Sequence, residues 1–263
     1  MDEVDIESLG IAPGAGGRQK KTELSEDSSD GMNGLAKSAI LRMNRALVED
    51  CRMPITPDQF DQRLADIRGR LSVQGKLVSE IAEEVFQTIF DMDTDRALEL
   101  MTRDDEVDQA DLEIERDAVD LLEKASHDVC PLSSQQIRAL LSAVKVNNEL
   151  ERIADAAADI AQRVVSLGDR TSTFPKTTMV MTNSVVGILR NSVRCFADTD
   201  AARAKQVLRS EGTVLEFYDV IVQKSEERIA DGRLGVQHAF DLHSIIHQVV
   251  VMADHCTNIA EQV

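Results

Sequence analysis

An all-α fold, a tandem repeat of two three-helix bundles in a six-helix up-down arrangement behind an N-terminal extension, is predicted by three features of the sequence. Beyond Pro57, apolar residues recur at three- and four-residue steps in segment after segment, the period of a helix with one buried face. The 43% hydrophobic content is almost wholly aliphatic, with 3% aromatic residues and no Trp; sheets draw on β-branched and aromatic residues, helices on this composition. Finally, the ending from Met252 to Val263 aligns without a gap on Ile153 to Val164, Asp254 falling on Asp155, so the chain carries an internal duplication.

Residues 1–34, rich in Gly, Ser, Asp and Glu without periodicity, read as a disordered tail. Its Gly14-Ala15-Gly16-Gly17 patch lacks the Gly-Lys-Ser/Thr of a phosphate loop and reads as flexible chain. Residues 35–53 carry an extra amphipathic helix with Ala36, Ala39, Ile40, Met43, Ala46 and Leu47 on one face, either docked on the main bundle or held for a partner.

The first repeat is assigned to 54–168. Pro54 and Pro57 break the chain, and Thr56 or Asp58 caps a long helix whose seam is Phe60, Leu64, Ile67, Leu71, Val78, Ile81, Val85 and Ile89. After Asp93-Thr94-Asp95 a second helix buries Ala97, Met101, Val107, Ala110, Ile114, Ala118 and Leu121. Pro131 and Ser133-Ser134 end it and cap a third, from about Gln135 to Leu167. The second repeat, 169–263, opens with a Gly168 to Pro175 linker. Met179, Thr182, Val186, Leu189, Val193 and Phe196 mark its first helix, and Val207, Leu208, Val214, Tyr218 and Ile221 its second. A turn at Asp231-Gly232 leads into the last.

Asp plus Glu exceed Lys plus Arg by 47 to 29, a formal charge of −18. That field repels nucleic acid and anionic membranes and suits cations or basic partner surfaces. Cys51, Cys130, Cys195 and Cys256 form no Cys-x-x-Cys pair, so no zinc knuckle or redox motif is legible, and a reduced, cytoplasmic setting is expected. No apolar run approaches the roughly 20 residues of a membrane span, and no secretory leader is legible.

The third helix of the first repeat overlays two stripes. Leu150, Ile153, Ala157, Ile160 and Val164 face a core, while Glu151, Asp155 and Asp159 run beside them. The preceding helix carries Asp104, Asp108, Asp111 and Glu115 on one face. If the two helices pack antiparallel, Asp104 and Asp108 approach Glu151 and Asp155, and like charges there either raise pKa values or recruit a cation. An all-oxygen set favours Mg, Ca, Mn or iron over zinc or copper. The ordinary alternative is a solvated acidic face with Arg152, Arg116 or Arg163 as counter-charges. No Glu-x-x-His pair of a di-iron oxidase occurs. In the second copy Glu211 and Asp254 remain, but Leu215, Val250 and Asn258 stand where Asp108, Glu151 and Asp159 do in the first. There His243, His247 and Asp254 share a face, either as metal ligands or as ordinary histidines.

The run Leu150-Glu151-Arg152-Ile153-Ala154-Asp155, with the acidic-x-x-x-acidic pattern of Asp104 and Asp108 around Val107 and the duplicated three-helix plan, closely resembles the PhoU family of bacterial phosphate-uptake regulators. Ala154 and Ala253 stand where the family usually has Gly, and Gln136-Ile137-Arg138 where it often has Asp-Leu-Arg. The resemblance implies a cytoplasmic, homodimer-prone adaptor and no enzymatic step. Its partners would be phosphate ABC transporter components and a sensor histidine kinase, and its role to hold the phosphate-starvation response off. It further implies metal ions on carboxylates, iron foremost, with Mn, Mg, Ca or Zn as other occupants. Carried over by position, Asp104, Asp108, Glu151 and Asp155 would form one site, and Glu211 and Asp254 the other.

Overall fold

A computed structural model of the chain describes residues 55–125, 132–168 and 174–263. The tail of 1–34, the helix expected over 35–53, Cys51, Cys130 and most of the linker after Gly168 lie outside them. Among the described residues every regular element is a helix.

Helix α1, Pro57–Asp91, starts where Pro57 places it. Of the two candidate caps it is Thr56 that acts: its hydroxyl accepts from the Gln59 amide, and the Gln59 side chain accepts from the Thr56 amide in return. Two orphan donors are satisfied at once, and Pro57 occupies the first turn where no amide hydrogen is needed. All eight residues of the expected seam are buried. Asp93 then caps α2, Thr94–Thr102, and α3 follows as Asp104–Ala125. Here the structure departs from the single helix expected. The chain breaks at Arg103, whose guanidinium bonds Glu84 of α1, and the break puts Asp104, Asp105 and Glu106 in the first turn of a new helix. Carboxylates are favoured at that end of the helix dipole and gain nothing in a helix interior.

Helix α4, Ser134–Leu167, carries a second capping box, Ser133 with Gln136, and ends at Gly168 with φ of 55°. In the second repeat α5 is Lys176–Asp198, α6 is Ala201–Ala230 and α7 is Val236–Ala260. Gly232, with φ of 68°, makes the turn before α7. Met179 and Leu208 belong to the surface, being 43% and 39% exposed. The buried line of α5 runs through the neighbouring Thr178, Met181 and Val185, and that of α6 through Ala204, Val207, Val214 and Ile221.

The repeats join through four helices. In each repeat the first and last helices pack on those of the other, α1 on α5 and α4 on α7, while α2, α3 and α6 lie outside. Side-chain bonds fix the directions: Asp61 to Gln136 makes α1 and α4 parallel, and Arg63 to Asp120 with Arg70 to Glu113 makes α3 antiparallel to α1. Between repeats α4 and α7 cross antiparallel with reciprocal bonds, Asn258 donating to Glu149 at 3.1 Å and Gln248 to Asp159 at 2.9 Å. His255 adds a bond to Glu149 at 2.7 Å. Cys195 and Cys256 are buried, their thiols pushed up to about 11 and about 12 by burial. No helix among the described residues is long and apolar enough to cross a membrane.

The α1/α5 contact is closest at Gly75, where an added Cβ would lie 2.6 Å from a Val193 methyl. Gly75→Ala should therefore destabilise the protein by about 1–3 kcal/mol, since neither backbone nor branched side chain can yield cheaply. Gly69, on the same helix with open space around it, provides the control: Gly69→Ala should stabilise by about 0.5–1 kcal/mol. Urea unfolding of the two variants measures both, and equal effects of one sign would contradict this account of the contact.

Candidate metal centre

Burial of apolar residues brings the carboxylates together. Val107 and Ile114 of α3 are 0% and 1% exposed, as are Ile153 and Leu150 of α4, and each such side chain contributes roughly 1.5–3 kcal/mol when removed from water. The α3/α4 register this sets is pinned by Asn147, which donates to the Asp111 carboxylate at 2.6 Å and to its backbone carbonyl at 3.0 Å. The helices are antiparallel, as the site requires. Asp104 and Asp108 then face Glu151 and Asp155.

The electrostatics record the crowding. Asp104 is pushed up to about 6, by burial first and then by Asp108, Asp155, Asp105 and Glu151. Its position in the first turn of α3 would favour the charged form, so burial and like charge outweigh the helix dipole there. Glu151 is raised by burial, then by Asp155, Asp111 and Asp108, and Asp155 by burial, then by Asp108 and Asp159. Asp111 is raised by burial, Glu115 and Asp108. Counter-charge is scarce. Arg152 lowers Glu151 and Asp155, but its Nε donates to Asn148, and among the described residues neither Arg152, Arg116 nor Arg163 forms an ion pair with these carboxylates. Asp159, the third member of the stripe, accepts from Gln248 across the repeat boundary.

In donor chemistry alone, the set is that of a hard-cation site. Every donor is a carboxylate oxygen, and Asp104 Oδ1 is buried with no hydrogen-bond partner, an acceptor that neither protein nor open solvent serves. Among the described residues no three His, Cys, Asp or Glu side chains converge on one coordination sphere. In the second copy Glu211 is half-buried on α6 and Asp254 exposed on α7. His243 shares its Nε2 with the Tyr218 hydroxyl at 2.7 Å and stacks on His247 at 6.4 Å between ring centres, which engages one of the two histidines that share a face with Asp254.

Asn147, His255 and Asn258 were not legible as partners of the acidic residues. Asn147 sits in the apolar stripe, where a lone buried amide is a visible irregularity in the sequence.

Residues 71–164 and 178–263 each match the PhoU domain. A phosphate-specific transport system accessory protein PhoU homolog of Zymomonas mobilis is 26% identical over 209 residues, covering 79% of this chain and 86% of that protein. PhoU homolog 1 of Thermotoga maritima is 24% identical over 206 residues, covering 78% and 87%. Among solved structures, PhoU from Pseudomonas aeruginosa superposes with a TM-score of 0.71 at 23% identity, over 77% of this chain and 96% of that one. A phosphate transport system regulatory protein PhoU from Streptococcus pneumoniae gives 0.70 at 21%, over 77% and 94%.

The raised carboxylates make stability depend on pH. A carboxyl at about 6 when folded and 3.8 ordinarily binds more protons in the folded state between those values, so stability falls as pH rises through that window. In chelator-treated protein, Asp104→Asn should raise the melting temperature near about pH 8 and leave it almost unchanged below about pH 4. Thermal unfolding at the two pH values tests this, and a loss of stability near pH 8 would contradict it.

Proposed function

The chain belongs to the PhoU family, and from that premise we propose that it is an accessory regulator of phosphate-specific transport, acting as a metal-binding helical adaptor. The duplicated PhoU domain carries the reading; the names of the relatives in Zymomonas mobilis and Thermotoga maritima supply the phosphate-transport context. In this reading the protein contacts the phosphate ABC transporter and a sensor histidine kinase and keeps the phosphate-starvation response off when phosphate is plentiful. A formal charge of −18 suits basic partner surfaces. The work is binding rather than chemistry, and a homodimer is the assembly proposed.

Asp104, Asp108, Glu151 and Asp155 would hold the cation, with iron, Mn, Mg or Ca as fitting occupants of an all-oxygen set. A bound cation supplies positive charge. The residues themselves contribute two pairs of carboxylates on two antiparallel helices, so positive charge placed between them would offset their repulsion and add a tie between α3 and α4. At the second copy, with Leu215 and Val250 in place of two carboxylates, Glu211 and Asp254 offer fewer donors, and weaker binding is proposed there.

Deletion of the gene should leave phosphate-starvation genes expressed and phosphate uptake elevated in phosphate-replete cells, and normal repression in the deletion strain would overturn the reading. Elemental analysis of protein purified without chelator should find a hard cation, and Asp155→Ala should weaken its binding by at least about tenfold in a metal titration.

A further inference from the structure

Resting on the adaptor reading above, we propose that the outward cleft between α6 and α7 is a docking groove for an amphipathic helix of a partner protein, one with a short apolar ridge and Lys or Arg along its flanks. Phe240 is the anchor. It is 67% exposed, and Val236, one turn before it on α7, is 57% exposed. The other six phenylalanines of the chain are buried or half-buried. Single apolar residues in water are ordinary, but a contiguous set around a cleft marks an interaction surface, and aromatic side chains dominate such contacts.

The cleft holds about 240 Å³, floored by the buried Leu242 and Ile246 and walled on α6 by Val222 and Ile229. It runs two helical turns along each helix, roughly 10 Å. Over that length the side chains at i, i+3 or i+4 and i+7 of one helix stand in a row. The polar groups of the lining are committed elsewhere. Ser225 donates its hydroxyl hydrogen to the Ile221 carbonyl at 2.8 Å, and His243 is hydrogen-bonded to Tyr218 at 2.7 Å. Small-molecule sites are larger, about 300–1,000 Å³, and orient their ligands with several free polar groups. A cleft of this size with an apolar floor suits two or three side chains of a helix instead.

Charge specifies the flanks of that helix. Glu226 lines the cleft, Asp219 stands two turns before it on the same face of α6, and Asp241 follows Phe240 on α7. No Lys or Arg lines the cleft, and among the described residues none of these three carboxylates forms an ion pair; Asp241 accepts from Gln237 at 3.3 Å. A helix that presents apolar side chains to the cleft and Lys or Arg to this rim complements both. Two copies of this chain docked cleft to cleft would set carboxylate against carboxylate, and an anionic membrane would meet the same repulsion.

The duplication provides a control, since the alignment that matches Asp155 to Asp254 puts Leu141, 52% exposed, at the place of Phe240. The test uses full-length protein and a fluorescent synthetic helix of about 15 residues, with Leu at i, i+3, i+4 and i+7 spacing and Lys elsewhere, beside a scrambled peptide of the same composition. In anisotropy titrations the ordered peptide should bind at least about tenfold tighter than the scrambled one. Phe240→Asp and Glu226→Lys should each weaken it by at least about tenfold, and Leu141→Asp should leave it unchanged. Phe240→Asp should keep the wild-type melting temperature, because most of the ring stands in water. Equal binding of the scrambled peptide, or wild-type affinity in Phe240→Asp, overturns the inference. So does dissociation of a homodimer by Phe240→Asp in sedimentation, which would give the face to a second copy. Returned to a deletion strain, Phe240→Asp should leave phosphate-starvation genes expressed in phosphate-replete medium where the wild-type chain represses them. Repression by the variant overturns the inference and leaves the adaptor reading intact, whereas failure of the wild-type chain to repress overturns both.

Discussion

The constraint on which the structure depends is that α4 must bury one stripe while an adjacent stripe of charge comes with it. Leu150, Ile153, Ala157, Ile160 and Val164 are all 1% exposed or less, wedged against α1, the α2/α3 pair and α7. Each large side chain there contributes roughly 1.5–3 kcal/mol. Like charges one helical turn apart cost only about 0.2–0.5 kcal/mol per pair in open water. Packing therefore wins, and Glu151 and Asp155 are carried to within reach of Asp104 and Asp108 whether or not anything neutralises them. The carboxylates respond with a raised affinity for protons, set first by burial and then by their neighbours' charge at Asp104, Asp111, Glu151 and Asp155.

Duplication separates what the fold needs from what the site needs. Both copies keep the apolar stripe, with Val249, Met252, Cys256 and Ile259 buried on α7, and both keep a polar bond across the α4/α7 crossing. Glu149 to Asn258 mirrors Asp159 to Gln248, so the pseudo-twofold relation extends to side chains at the repeat boundary. Only one copy keeps the carboxylate wall. The other keeps Glu211 and Asp254 but has Leu215 and Val250 in place of two carboxylates, Leu215 being 42% exposed. The apolar stripe, common to both copies, is what the architecture shares; the full carboxylate wall is not.

The fold was legible because its signals are local and repeated. The seam of α1, Pro57 at its first turn and the pairs Thr56/Gln59 and Ser133/Gln136 all act within a few residues. The break at Arg103 escaped because no Pro or Gly marks it; it is made by a tertiary bond to Glu84 and by three acidic residues better placed in a first turn than in a helix interior. Met179 and Leu208 escaped because each neighbours a buried residue, and a small rotation of the helix decides which of two adjacent apolar side chains is covered. At the site, helical periodicity was enough to align the acidic residues of α3 and α4. The partners Asn147, His255 and Asn258 depend on which helix crosses which and at what level, and spacing along one helix carries no record of that.

Hydrogen exchange on full-length protein, stripped of metal and then given Mn²⁺, tests most directly whether the carboxylate wall is a cation site that ties two helices together. The account predicts slower exchange through α3 from Asp104 to Glu115 and through the facing part of α4, with α6 and α7 almost unchanged. Equal slowing in both repeats, or none in α3, would contradict it.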